Sequence, residues 1–148
     1  MSAYDGKTCA VSFSATAEGT LPTVWTTLGM MRTKSISGTW DTADSTADST
    51  PNSAKTSIAT RKSLSFSGDG VSYDDAAYNQ RTLKSQFFNP SSTTQNQPKV
   101  WFKLVYASGE SFTGPFMMTS WKDDSPEADV QTWSIEAASN GNVVYAAS

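Results

Sequence analysis

RKSLSFSGDGVSYDDAAYNQRTLKSQFFNP, residues 61–90, is the stretch that decides the fold. In its first part Leu64 and Phe66 alternate with serines, and a period of two is typical of a half-buried β-strand. The sequence Gly68-Asp69-Gly70 then predicts a turn, because glycine takes the positive φ angles that tight turns require. A strand that ends in a tight turn is therefore expected before the chain changes its pattern.

The second part of the stretch predicts one α-helix, over about residues 74–88. Ala77, Leu83 and Phe87 recur at helical spacing, so they are expected to form one apolar stripe. Asn89-Pro90 ends the helix, because the residue before a proline is disfavoured in helical geometry. No other segment predicts a helix as clearly, and a single helix among strands has to pack against a sheet.

Several further segments alternate apolar and polar residues and predict strands. The clearest is 99–106, where Val100, Phe102 and Leu104 are expected to share one face. The last two strands, separated by Ser139-Asn140-Gly141, predict a hairpin. The remaining segments are 8–14, 31–38, 109–121, 130–138 and 142–146. The sequence thus predicts a mainly β fold, a β-sandwich or barrel of about seven or eight strands with one flanking helix, in a single domain over 1–148.

Residues 39–60 interrupt this pattern with the sequence TWDTADSTADSTPNSAKTSIAT, in which ADST is written twice in succession. Trp40 and Ile58 are its only large apolar side chains. A long polar loop is expected here, and loops of this length in compact domains are usually functional or disordered. An exposed tryptophan at the start of such a loop suits a surface that contacts a partner.

The composition argues against catalysis and cofactor binding. The 148 residues contain no histidine and one cysteine, Cys9. Serine–histidine–aspartate triads, cysteine–histidine pairs and histidine-bearing zinc sites are therefore excluded, and no phosphate-binding glycine loop is present. We predict no enzyme activity, no catalytic residue, no metal site and no cofactor. Cys9 lies in a strand-like segment and is expected to act as a small apolar residue.

Charge and hydropathy limit the partners and the location. The net charge is −3 without a basic run, so nothing in the sequence predicts tight nucleic-acid binding. The first residues, MSAYDGK, lack the features of a signal peptide, and no apolar run is long enough to cross a membrane. A soluble protein made in a cytoplasm, with no membrane partner, is expected.

One proline-containing segment holds four acids, Asp123, Asp124, Glu127 and Asp129. They lack the ligand spacing of a calcium loop, which favours a solvated turn over a metal or glycosidase site.

The five tryptophans could form a carbohydrate-stacking surface. Because four of them lie in predicted strands, a place in the core or in a subunit interface is favoured, and Trp40 is the exception.

The order and spacing of these signals resemble the tail tube (major tail) proteins of long, non-contractile-tailed bacteriophages. The similarity extends from about residue 5 to residue 146, and its evidence is the sequence of segments rather than any one motif. The segments that carry it are WTTLG (25–29), MRTKSISG (31–38), KSLSFSGDG (62–70) before the helix, GPFMMTSW (114–121) and WSIEAASNG (133–141).

The resemblance implies a structural virion protein located in the virion tail and made in the host bacterial cytoplasm. Proteins of this family form hexameric rings that stack into a hollow tube, through which viral DNA passes as cargo without being bound specifically. The partners implied are other copies of the chain and the tape measure, terminator and tip proteins of the tail. The resemblance implies no catalysis.

For such a tube, we expect the polar loop to be mobile in the monomer and to dock on adjacent subunits. The candidate inter-subunit or inter-ring contacts are Trp40, Asp41, Asp44, Asp48 and Ile58. A DNA conduit should repel phosphate weakly, so acidic residues are expected at the lumen or between rings. The candidates are Glu110, Asp123, Asp124, Glu127 and Asp129. The alternative function is a carbohydrate-binding or adhesin-like β-sandwich module, which requires tryptophan or tyrosine side chains exposed in a row.

Overall fold

The computed structural model describes residues 9–16, 20–45, 54–73 and 78–147. These residues form one antiparallel sheet of eight strands, one α-helix and a short 3₁₀ helix, which confirms the predicted mainly β fold. The strands are β1 (Ala10–Ser14), β2 (Thr26–Leu28), β3 (Met31–Asp44), β4 (Ser57–Val71), β5 (Lys99–Val105), β6 (Ser111–Asp124), β7 (Thr132–Ser139) and β8 (Val144–Ala146). The helix α1 is Gln80–Phe88, and the 3₁₀ helix is Ser92–Thr94.

The sheet rolls up on itself. Its strand order is β2-β1-β5-β6-β7-β4-β3. β8 pairs with β6, along the same edge of β6 as β7. The two end strands, β2 and β3, are consecutive in the chain and are joined only by Gly29 and Met30, so they cannot lie far apart. Phe66 in β4 and Phe102 in β5 have ring centroids 5.0 Å apart. In a flat sheet these strands would be three spacings, roughly 14 Å, apart. The predicted sandwich or barrel architecture is therefore confirmed.

The core fills the inside of this rolled sheet. Along β5, Val100, Phe102 and Leu104 are buried while the residues between them are only half-buried, as the alternation predicts. Phe66 of β4, from across the rolled sheet, and Phe116 of the adjacent β6 pack against Phe102, and neither has exposed surface. Because successive side chains point to opposite faces of a strand, the other face of each strand is left for the surface.

The predicted turn at Gly68-Asp69-Gly70 is wrong, because β4 continues through it to Val71. Neither glycine has a positive φ angle. A Cβ atom on Gly68 would lie 2.3 Å from Met31 Cε, and one on Gly70 would lie 2.4 Å from the Met30 carbonyl oxygen. These glycines serve close packing at the corner where the sheet closes, and sequence alone does not distinguish that role from a turn.

The helix is where the sequence predicts it, although in the described part of the chain it begins later. It starts at Gln80, after Asn79 in the left-handed region with φ of 59°. Leu83 is fully buried and Phe87 packs against the core, which confirms two members of the apolar stripe. The third, Ala77, lies outside the described residues. Two buried glutamines, Gln80 and Gln86, were not predicted.

The predicted loop over 39–60 is wrong at both of its ends. Residues 39–44 belong to β3 and residues 57–60 to β4, and the two strands pair as far as Asp44 opposite Ser57. Threonine favours strands, and the cross-strand pairing supplies the order that the polar composition did not indicate. The central part, residues 46–53, lies outside the described residues.

The predicted hairpin between the last two strands is also wrong. β8 pairs with β6, with Ser111 opposite Ala146, and not with β7. Val143 is buried directly over Gly114, where a Cβ atom would lie 2.6 Å from Val143 Cα. This close approach directs the chain from the turn at Gly141 along β6 instead of back along β7.

Gln80 holds the corner where the sheet closes. Its Nε2 donates hydrogen bonds to the carbonyl oxygens of Gly29 (3.0 Å) and Val71 (2.9 Å). Its Oε1 accepts a hydrogen bond of 3.0 Å from the Tyr73 backbone N–H. One buried side chain thus ties the β2–β3 link and the end of β4 to the start of the helix.

The first prediction compares two strand glycines. Gly70→Ala should lower the free energy of unfolding by about 1–3 kcal/mol, because its methyl group meets the Met30 carbonyl and the backbone has to move. Gly38→Ala is the matched control, because its Cβ would lie 3.6 Å from the nearest atom, an ordinary contact. Urea denaturation measures both variants. Equal effects at the two positions would contradict this description of the corner.

The second prediction concerns the buried glutamine. Gln80→Leu should lower the free energy of unfolding by about 3 kcal/mol, because it leaves two carbonyl oxygens and one N–H without their partner. Gln97→Leu changes an exposed side chain and should have almost no effect. A Gln80→Leu variant as stable as the parent in urea denaturation would show that these hydrogen bonds do not hold the corner.

Candidate assembly surfaces

The paired ends of β3 and β4, residues 39–44 and 57–63, form an arm that extends from the folded body. All of these residues are exposed, on both faces of the ribbon. Hydroxyl pairs connect the two strands, with 3.1 Å between the oxygens of Thr39 and Ser63 and 2.9 Å between those of Ser45 and Thr56. A two-stranded ribbon that buries no side chain is marginally stable in water. The arm is therefore suited to being covered by another molecule.

The arm carries the sequence-predicted contact residues that the structure describes. Trp40 and Ile58 each have 57% of their surface exposed, and the Lys62 ammonium lies 6.0 Å from the Trp40 ring centroid. Asp41 and Asp44 are exposed, and Asp41 lies opposite Arg61 in the register. The structure thus brings these residues onto one ribbon. The fifth candidate, Asp48, lies outside the described residues.

A second surface is the outward side of β3, β4, β7 and β6, here called the polar sheet face. Small hydroxyl side chains dominate it, as where Ser35 lies opposite Ser67 and Ser37 opposite Ser65. Its charged members are Asp69, Lys122 and Glu136. The residues that define it are Thr33, Ser35, Ser37, Ser65, Ser67, Asp69, Ser120, Lys122, Ser134 and Glu136. Seven of these ten side chains are small and carry a hydroxyl group, and the three charged ones sum to a net charge of −1.

The structure places the predicted acidic residues near the two opposite ends of β6. Asp123 accepts hydrogen bonds from Lys84 Nζ and, at 3.0 Å, from Trp121 Nε1. Asp124 Oδ2 lies 3.6 Å from Lys122 Nζ. The other two members of this group, Glu127 and Asp129, are exposed in the segment between β6 and β7. In the ranges that the structure describes, no group of three or more acidic, cysteine or histidine side chains is arranged to hold a metal ion.

Glu110 lies at the opposite end of β6, in the turn after β5. It is half-buried beside Tyr145 of β8. Desolvation, followed by the negative charge of the Glu110 carboxylate and its hydrogen bond with the phenol, raises the pKa of Tyr145 above its usual value. At the same end of the fold, burial raises the pKa of the Cys9 thiol more than the nearby Lys34 lowers it. Cys9 is therefore protonated at neutral pH, in agreement with its predicted role as a small apolar residue.

A cavity of about 490 Å³, here called the Trp pocket, lies between the helix and the ends of β4, β6 and β7. Its wall includes the stacked rings of Trp121 and Trp133, whose centroids are 5.2 Å apart and whose planes differ by 10°. Trp133 is 2% exposed, and its Nε1 is buried without a hydrogen-bond partner. The lining residues are Ser72, Tyr73, Gln80, Arg81, Lys84, Trp121, Asp123, Gln131 and Trp133. No local sequence pattern indicates this pocket, because its residues come from four separate parts of the chain.

A groove of about 590 Å³ lies on another part of the surface and is mainly apolar. Trp101 and Pro115 line it, together with the exposed side chains of Leu21 and Val144.

The tryptophans do not form an exposed row, because Trp133 is buried and Trp25, Trp101 and Trp121 are half-buried. The geometry therefore gives no support to a carbohydrate-stacking surface. In the described ranges, none of the helices has the length and apolar character needed to cross a membrane.

The sequence comparison decides the family. The family model described as "Phage tail tube protein" matches residues 3–145. The chain belongs to the phage tail tube protein family. This confirms the resemblance found in the sequence, over nearly the full length on which it was seen. No curated protein sequence matches the chain.

Solved structures with the same fold come from several tail-like assemblies. A chain of the virion of a native gene transfer agent particle superposes with a TM-score of 0.73 at 22% identity, covering 97% of this chain and 99% of that one. The SPP1 tail tube gives a TM-score of 0.68 at 11% identity, with coverage of 97% and 78%. The baseplate of the anti-feeding prophage gives 0.63 at 11% identity, with coverage of 99% and 96%. At these identities the likeness establishes the fold.

The third prediction tests whether the arm of this tail tube family member is independent of its body. Replacing residues 41–61 by Asn-Gly joins Trp40 to Lys62 through a two-residue turn that suits a hairpin. Because the arm buries none of its side chains in the body, the free energy of unfolding should change by less than about 1 kcal/mol. Urea denaturation checks this. A loss of several kcal/mol would mean that the arm supports the body.

Proposed function

We propose that this protein is the subunit of a hollow tail tube, in which rings of six copies stack and DNA passes through the channel. The observation that carries the proposal is an arm exposed on both faces, on a chain that belongs to the tail tube protein family. The tail of an empty gene transfer agent particle, whose structure has C6 symmetry, contains a similar chain at 21% identity. The similar chain of the anti-feeding prophage belongs to a baseplate that was 6-fold symmetrised.

The contacts between copies are proposed to be heterologous. A ring forms when one surface meets a different surface of the next copy and the rotation closes, and a second, unclosed contact then extends the rings into a filament. β3 is the last strand of the sheet, so its outer edge has to be covered to prevent uncontrolled pairing. The arm supplies contacts through Trp40, Asp41, Asp44 and Ile58, and Asp48 belongs to the same segment of sequence.

The polar sheet face is proposed to line the channel. Its short hydroxyl side chains offer little positive charge to phosphate, and two carboxylates, Asp69 and Glu136, outnumber the one ammonium of Lys122. DNA can then pass without the counterion release that produces tight binding. The remaining acidic candidates, Glu110, Asp123, Asp124, Glu127 and Asp129, lie at the two ends of β6 and are better placed for contacts between rings.

The role proposed is structural and not catalytic. The protein would be made in the cytoplasm of a host bacterium and then incorporated into the virion tail. The tape measure, terminator and tip proteins remain the partners implied by the family. DNA is cargo in this proposal and is not bound specifically.

Assembly is the direct test of this proposal. Sedimentation velocity over a range of protein concentrations should show a change from monomers to large particles, and negative-stain electron microscopy should show rings or tubes with a central channel. Addition of purified tail-tip proteins tests whether assembly needs an initiator. The variant with residues 41–61 replaced by Asn-Gly should stay folded and form no tubes. Compact particles without a channel, with and without tip proteins, would contradict the proposal.

The fourth prediction tests the channel surface. Tubes of a Ser65→Lys, Ser67→Lys variant should retain labelled double-stranded DNA at low salt, because two added cations per subunit face the passage. The retention should fall steeply as salt rises. Thr82→Lys, on the exposed side of α1, adds charge away from the polar sheet face and should retain no DNA inside the tube. Equal DNA retention by both variants would place the polar sheet face outside the channel.

A further inference from the structure

Asn140 and Gly141 form the only Asn-Gly pair of the sequence, and they lie in the segment between β7 and β8. In such a pair the main-chain nitrogen of the glycine can attack the side-chain carbonyl carbon of the asparagine, because the glycine has no side chain to hinder the approach. In a folded protein the reaction also requires that neither group is held by other contacts.

The structure leaves both reacting groups of this pair free. In the part of the chain that it describes, neither the side-chain amide of Asn140 nor the N–H of Gly141 makes a hydrogen bond. Asn140 is half-buried and lines the apolar groove near Trp101 at the surface, so water can reach it. Reaction at this pair therefore breaks no hydrogen bond of the native state.

Three other described asparagines lack this combination. Asn79 Nδ2 donates a hydrogen bond of 2.8 Å to a main-chain carbonyl oxygen. Asn89 precedes a proline, which has no N–H to lose. The N–H of the residue after Asn96 donates to the Thr94 carbonyl oxygen at 3.2 Å. Asn52 lies outside the described residues.

Asn142 is a control within the same segment. It is more exposed than Asn140, but the residue that follows it is Val143, which has a branched side chain. Val143 is 2% exposed and packs over Gly114, so the nitrogen after Asn142 is both hindered and fixed in place. Exposure alone would favour reaction at Asn142, whereas access to the attacking nitrogen favours Asn140.

We propose that Asn140 is a site of spontaneous deamidation, at which the folded protein converts to isoaspartate and aspartate. The Gly141 nitrogen forms a bond to Cγ of Asn140, the bond between Cγ and Nδ2 breaks, and the Gly141 proton leaves with Nδ2 as ammonia. Water from the solvent then opens the resulting succinimide ring at one of its two carbonyl groups. The reaction changes no oxidation state, and it needs only the folded monomer, so it is independent of tube assembly.

The isoaspartate product changes how β8 is held. It lengthens the main chain between Asn140 and Gly141 by a methylene group. On one side of the new bond the Asn140 N–H donates to the Pro115 carbonyl oxygen at 2.9 Å. On the other side Val143 is packed so closely that its Cα would lie 2.6 Å from a Cβ atom on Gly114. Because both anchors are on β6, the longer main chain displaces Val143 and the β8 strand that follows it.

Mass spectrometry during incubation at mildly alkaline pH, which favours loss of the Gly141 proton, tests the site. Trypsin releases residues 123–148 as one peptide, so fragmentation compares Asn140 with Asn142 in the same molecules, against a sample taken at time zero. Conversion at Asn140 should be at least about tenfold faster than at Asn142. Equal rates at the two asparagines would overturn the proposal, as would a rate at Asn140 about tenfold lower in the folded protein than in urea.

Hydrogen exchange tests the effect on β8. Protein isoaspartyl methyltransferase with labelled S-adenosylmethionine first identifies the isoaspartate-containing fraction of the incubated protein. In that fraction the amides of residues 144–146 should exchange faster than in fresh protein, because their pairing with residues 111–113 is lost.

Two variants are the controls for this measurement. Asn140→Gln, incubated in the same way, should keep the slow exchange of β8, because its longer side chain does not form the succinimide. Freshly purified Asn140→Asp adds the negative charge without lengthening the main chain and should also keep it. Unchanged exchange in the isoaspartate fraction, or equally fast exchange in Asn140→Asp, would contradict the displacement of β8 by the longer main chain.

Discussion

The two-residue link between β2 and β3 is the constraint on which the rest of the structure depends. Gly29 and Met30 join strands at opposite ends of the sheet order, so the sheet has to close. Close packing fixes this corner, because a Cβ atom on Gly29 would lie 2.5 Å from Tyr78 Cδ1 and Met30 takes a φ of 59°. Closure places one face of β1, β4, β5, β6 and β7 in a common core and leaves the other face outside, which produces the polar sheet face.

The arm is the part of β3 and β4 that extends beyond the closed sheet. Both strands are longer than is needed to cover the core, and their additional residues pair only with each other. The body is thus stable through its apolar core, and the arm gains little until another molecule covers it. This division suits a subunit that has to fold alone and then polymerise. The body also has two concave surfaces, the Trp pocket and the apolar groove.

Periodicity in the sequence was enough to predict most of the fold. The alternation in β5 and the apolar spacing of Leu83 and Phe87 predicted faces that the structure confirms. The failures have a common physical cause, namely contacts between distant segments. The local pattern predicts a turn at Gly70. The true reason for the glycine is its close contact with the Met30 carbonyl oxygen, which belongs to a residue distant in sequence. The local pattern predicts a loop at residues 39–44, because their partner strand follows only after a further polar segment. The Trp pocket could not be predicted, since the orphan Trp133 N–H depends on packing in three dimensions.

The most direct measurement is a cryo-electron microscopy reconstruction of tubes assembled from the purified protein. The account predicts a hollow tube in which Ser65 and Ser67 face the channel, α1 lies outside it, and the arm of each subunit contacts another subunit. A filament without a channel would contradict the tube itself. A channel lined by α1 or by the apolar groove would contradict the assignment of surfaces on which the account is built.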